Sequence, residues 1–103
     1  MVKTALWTVR GWRRPPPALP ADVSSVLFVC LGNICRSPFA ALRMEQRLRG
    51  RHPRGMRIAS AGISARQAAR PPDLAIAAAR EGFDVVLDEH RPVLVTHDLL
   101  KAF

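Results

Sequence analysis

An α/β domain with a parallel sheet is what this sequence predicts, and three observations predict it. Val26-Leu27-Phe28-Val29 is an unbroken apolar run with β-branched and aromatic side chains, the pattern of a strand covered by helices on both faces. A glycine-containing loop and then a helical pattern follow it directly. A second short strand candidate, Arg57-Ile58-Ala59-Ser60, precedes another helical pattern, so strand and helix alternate as parallel pairing requires. At 103 residues the chain is long enough for one domain with a small core.

Taken in order, residues 1–22 combine Arg10, Arg13 and Arg14 with Pro15-Pro16-Pro17, Pro20 and two isolated tryptophans, Trp7 and Trp12. This composition predicts a flexible, basic, Pro-rich extension, and residues 23–103 are expected to form the folded part. Ser37 and Pro38 after the first strand suit an N-cap and the first helical position. Ala40, Ala41, Met44 and Leu48 then recur at helical spacing, and Gly50 with Pro53 marks the expected exit. The second strand is expected to end in a turn at Ala61-Gly62. Pro71-Pro72-Asp73 opens an Ala-rich helix over Leu74 to Glu81, expected to close at Gly82, and a third helix begins at about Thr96.

The formal net charge is +8, and fourteen of the sixteen basic residues are arginines scattered along the chain. Without a basic run interleaved with aromatics, this reads as a compositional bias, so no specific nucleic-acid partner is expected. No long apolar stretch predicts a membrane span or a secretory signal, and the two cysteines imply a reducing, cytoplasmic setting. His52, His90 and His97 show no metal-ligand spacing, so no metal or other cofactor is expected.

Cys30-Leu31-Gly32-Asn33-Ile34-Cys35-Arg36-Ser37 carries the chemistry. A Cys and an Arg six positions apart mean little alone in so Arg-rich a chain, but here they span the gap between a strand's end and a helix's start. Backbone N–H groups and the helix dipole converge on an anion at such a junction. Gly32 and Asn33 tolerate positive φ, so the segment Leu31, Gly32, Asn33, Ile34, Cys35 and Arg36 can wrap its amides around a phosphate. Cys30 would be acidified there into a nucleophilic thiolate. Arg36 would grip two phosphoryl oxygens with its planar fork, and Ser37 would donate its hydroxyl to the sulfur.

The run from Val26 to Pro38 closely resembles the phosphate loop of low-molecular-weight protein-tyrosine phosphatases. That resemblance implies a three-layer α/β/α, flavodoxin-like fold, C-terminally truncated, and a phosphocysteine intermediate on Cys30. It implies a supporting network of Asn33, Ser60 and His90, and it places Cys35 where some members keep a redox partner for the nucleophile. Simple loop packing is the alternative for that second thiol. Pro71-Pro72-Asp73 resembles the family's entry to its second helix, while Arg66 and Gln67 stand where many relatives carry an aromatic beside the substrate ring. Relatives take a general acid from an Asp-Pro segment further on, so none is assigned to Asp73, Asp84, Asp88 or Asp98. The resemblance also implies a phosphotyrosine-bearing protein or a small phosphate ester as partner, an oxyanion in the loop, and self-association through an exposed sheet edge. A phosphate-binding remnant without turnover, and arsenate reduction, are the other functions this loop allows. The latter needs more thiols than the sequence supplies.

Overall fold

The computed structural model of the protein describes residues 23–49 and 55–103. The expectations for residues 1–22, for His52 and for a helix exit at Gly50 and Pro53 lie outside the described residues. Five elements follow one another: β1 (Ser25–Cys30), α1 (Arg36–Leu48), β2 (Arg57–Gly62), α2 (Asp73–Phe83) and α3 (His97–Ala102).

β1 and β2 pair in parallel, in a register running from Ser25 opposite Arg57 to Cys30 opposite Gly62. The backbone bonds Arg57 N–H to Ser24 O and Ile63 N–H to Cys30 O mark the two ends of this ladder. Because parallel ladders use alternate residues, the intervening Ser25, Leu27 and Val29 turn their backbone groups to the outer edge of β1, and no other described strand pairs there. The second strand runs two residues past Ser60, correcting the expected turn at Ala61-Gly62. Gly62 is held on both sides, opposite Cys30 in β1 and through Gly62 N–H to Val93 O and Val95 N–H to Gly62 O.

α1 lies on both strands, burying Ser37, Pro38 and Ala41 on that side. It begins two residues earlier than an N-cap at Ser37 would give. Cys35 is the N-cap, and the first helical bond runs from Phe39 N–H to Cys35 O. Ser37 cannot cap because its hydroxyl is engaged with other partners, described below. Pro38 sits third in the helix, still within the first turn where a missing N–H breaks no helical bond.

α2 also overruns its expected stop. Gly82 is helical, and Asp84 supplies the left-handed C-cap residue instead, at φ 56°. Asp84 N–H bonds Arg80 O, the bond of the αL motif, and Val85 N–H reaches back to Ala79 O. The two extra residues bring Phe83 edge-on to Phe39 of α1, centroids 5.1 Å apart, and drop Val85 and Leu87 into a core with Ala79, Phe39, Leu42 and Ile76. Gln46 of α1 then donates to the carbonyls of Phe83 and Asp84, satisfying acceptors that a helix C-terminus leaves free. α3 is capped by the Thr96 hydroxyl, which accepts from Leu99 N–H at 3.0 Å. Its end returns to the start of the sheet. Arg57 stacks on the Phe103 ring at 4.4 Å and donates to Ala102 O, while Ser25 donates to Phe103 O.

Candidate active site

The site is built where β1 ends and α1 begins. Cys30 is the last residue of β1 and is partly buried. Its sulfur lies 2.9 Å from the Ser37 hydroxyl and accepts the Asn33 backbone N–H at 3.2 Å. The loop closes on this sulfur because Asn33 adopts φ 54°, a left-handed conformation that asparagine tolerates better than most side chains. Asn33 alone supplies the expected positive φ. Gly32 does not use one, and a Cβ there would meet nothing closer than Ile34 Cγ1 at 3.6 Å.

Asn33 is fully buried, and every polar atom of its side chain is spoken for. Val93 N–H donates to Oδ1 at 2.8 Å, which fixes that atom as the oxygen. Nδ2 therefore faces the hydroxyls of Ser37, at 2.7 Å, and Ser60, at 2.9 Å. His90 Nε2 lies 2.7 Å from Asn33 O and 3.2 Å from Oδ1. Both of these are acceptors, so Nε2 carries a proton. The Ser37 hydroxyl accepts from Asn33, leaving its single proton for Cys30 Sγ at 2.9 Å or for Ala61 O at 3.4 Å. The shorter contact and the charge of a thiolate favour the sulfur.

Burial pushes the Cys30 thiol up, but the Ser37 hydroxyl and the backbone N–H groups of Ser37, Asn33 and Gly32 together outweigh it and hold the group below its ordinary value. These uncharged donors, rather than a neighbouring cation, lower it. Arg36 is the first residue of α1, exposed, with no hydrogen bond or ion pair to another described residue. No carboxylate lies in the first turn of α1, whereas α2 and α3 have Asp73 and Asp98 there. An anion at the start of α1 thus meets the helix dipole uncompensated.

Cys35 and the aspartates to which no role was assigned have surroundings of their own. Cys35 is partly buried, a free thiol lining an apolar hollow with Phe39, Ala79, Phe83 and Leu87. Asp88 is paired with Arg80 at 2.8 Å, and Asp84 is spent on the α2 terminus. Leu31 and Ile63 are both exposed on adjoining stretches of backbone, where Ile63 N–H bonds Cys30 O and Ser64 N–H bonds Leu31 O. Sequence reasoning missed Gly62. A Cβ there would lie 2.8 Å from Asn33 N and Leu31 O and 2.9 Å from Gly32 C, so the loop rests directly on this glycine. A glycine ending an apolar strand is the signal that was available. The Val93 N–H left none, since any residue but proline carries that donor. Among the described residues no three potential ligands gather as a metal site requires, and no helix is long and apolar enough to cross a membrane.

A strand, a cysteine at its end whose sulfur accepts a loop N–H, and an acid-free helix start place a thiol at a strand–helix junction of a parallel α/β scaffold. The family model for low molecular weight phosphotyrosine protein phosphatases matches residues 25–103, and the chain belongs to that family. Its sequence is 40% identical over 65 residues to the low molecular weight protein-tyrosine-phosphatase PtpA of Staphylococcus aureus, covering 63% of this chain and 38% of that relative. The Erwinia amylovora tyrosine phosphatase AmsI superposes with a TM-score of 0.66 at 31% identity, over 86% of this chain and 53% of AmsI. The YwlE arginine phosphatase of Geobacillus stearothermophilus does so with a TM-score of 0.63 at 29% identity, over 76% and 47%. The match thus spans about half the length of these solved structures and less of the curated relative.

Proposed function

We propose that this chain hydrolyses phosphate monoesters through a phosphocysteine on Cys30. The observation that carries the reading is the Cys30 sulfur, held by the Ser37 hydroxyl at 2.9 Å and the Asn33 N–H at 3.2 Å at the acid-free start of α1. In the first step the thiolate attacks phosphorus, an S–P bond forms and the ester P–O bond breaks. The departing oxygen takes its proton from solvent or leaves as a stabilised anion. In the second, water attacks phosphorus, the S–P bond breaks, inorganic phosphate departs and the thiolate returns to the Ser37 hydroxyl, which eases its departure. Arg36 clamps two equatorial oxygens and the loop amides hold the others. Asn33, Ser60 and His90 act as positioning residues that keep the Ser37 hydroxyl aimed at sulfur.

Phosphotyrosine in a protein is the substrate we favour, since the apolar Leu31 and Ile63 beside the loop suit an aromatic ring. Phosphoarginine is the alternative that the YwlE likeness raises. The unpaired edge of β1 supports self-association as a further partner proposal. The test uses an activated aryl phosphate, whose alcohol leaves without a proton donor. Turnover that vanishes in Cys30→Ser, with a phospho-adduct trapped on Cys30 in the unaltered chain, is the expected result. Turnover persisting in Cys30→Ser sinks the proposal, and tight vanadate binding with no turnover selects the non-catalytic reading.

A further inference from the structure

The apolar run of β1 has the composition of a strand covered on both faces, yet none of its residues is buried. Ser25, Val26, Leu27, Phe28 and Cys30 are half-buried and Val29 is 45% exposed, whereas β2 ends in the buried Ala61 and Gly62. Cover is lacking at the outer edge of β1. Among the described residues β2 is the only strand that pairs with β1. It takes the backbone groups of alternate residues, so the N–H and C=O groups of Ser25, Leu27 and Val29 face outward. This edge also lacks the features that keep strand edges apart. Ser25–Cys30 carries no charge and no proline, and its register against β2 runs without a bulge.

From this edge we infer that two copies of the chain join β1 to β1, antiparallel across a two-fold axis at Leu27. The inference rests on the self-association already proposed and gives it a geometry. A two-fold axis normal to the sheet sets the two strands antiparallel and makes the contact self-complementary. With the axis at Leu27, that residue lies opposite its own copy and Ser25 lies opposite Val29 of the second copy, so every outward N–H meets an outward C=O. A register shifted by two residues would leave such groups unpaired at both ends. The side chains suit the same register. Alternation puts Leu27 against Leu27 on one face and Val26 against Phe28 on the other, an apolar and an aromatic–β-branched pair. A second copy is favoured over a foreign strand because it brings the same uncharged, regular edge with the same unmet bonds. Cys30 lies beyond the paired residues and bonds β2 on its inner side, so the two thiol loops stand at opposite ends of the joined strands.

Sedimentation velocity on the full chain over a concentration series should show monomer and dimer in exchange, with the dimer strengthening as salt screens the repulsion between two copies of net charge +8. Val29→Lys sets a charge into the paired edge of both copies at once and should weaken the dimer by roughly tenfold or more. Ala77→Lys adds the same charge on an exposed position of α2 and should weaken it far less. Leu27→Cys gives a second reading that does not depend on the first variant. Opposed residues of such a pair stand about 5.5 Å apart at Cα, within the reach of a disulfide, so mild oxidation should yield a crosslink that peptide mapping assigns to position 27 of both copies. A dimer that Val29→Lys leaves as tight as before, or a Leu27→Cys dimer without that crosslink, overturns this geometry while self-association stands. A chain that stays monomeric at every concentration and salt level overturns both.

Discussion

Two clusters anchor α1, and their most buried side chains are chemical opposites. At its start Asn33 is 0% exposed within a set of hydroxyl, amide and imidazole partners, and at its middle Leu87 is 1% exposed among Ala79, Val85, Phe39 and Leu42. Burying Leu87 stabilises the fold through apolar area. Burying an amide merely recovers in hydrogen bonds what desolvation takes away. The polar cluster is therefore explained by what it positions, the sulfur and the hydroxyl aimed at it, and the apolar one by what it holds together.

Substitutions can break this contrast. Asn33→Ala removes the acceptor of the Val93 N–H and the donor to the Ser37 and Ser60 hydroxyls, and places a Cβ residue without compensating bonds at φ 54°. Urea denaturation should show a loss of roughly 3–5 kcal/mol, and vanadate binding should disappear even where the chain remains folded. Leu87→Ala should lose about 2–4 kcal/mol through its cavity, yet bind vanadate with unchanged affinity below its transition. A Leu87→Ala chain that is folded but blind to vanadate would show the clusters to be one unit.

Gly62→Ala tests the contact between them and the sheet. A methyl group 2.8 Å from Asn33 N and Leu31 O must move the loop, at a stability loss of about 1–3 kcal/mol, and oxyanion affinity should fall more than the stability loss alone explains. Ser37→Ala is the mildest change, removing one lowering influence on Cys30. Alkylation of Cys30, followed by mass spectrometry, should then rise at a higher pH than in the unaltered chain, while stability falls by about 1 kcal/mol because the buried Asn33 amide loses one acceptor. The sign is set by the depressed thiol. The native state releases the Cys30 proton before the unfolded chain does, so stability gained from this group is present above the ordinary thiol range and fades as pH falls through the native value. Ser37→Ala should flatten that dependence.

The legible parts of the site were those with a local cause. The loop lies between an apolar run and a helical pattern, and its Cys30, Asn33 and Ser37 meet in the structure, while Ser60 and His90, which join them, came from the family resemblance and from no local pattern. The illegible parts were ends and backbone partners. Ser37 looked like an N-cap because serine usually caps when nothing competes for its hydroxyl, and here Cys30, Asn33 and Ala61 compete. Gly82 looked like a stop, but the Phe39–Phe83 contact and the Val85 seat favour two more helical residues, ended by Asp84.

By itself the sequence determined the alternation of strand and helix and the amide-lined loop at their junction, because hydrophobic period, glycine placement and proline position act over a few residues. Tertiary structure alone decided where β2 and α2 stop, that Gly62 carries the loop, and that Asn33 is buried with its amide oriented by Val93. Those outcomes depend on groups tens of residues apart meeting in space, and their energies exist only once the chain has closed around them.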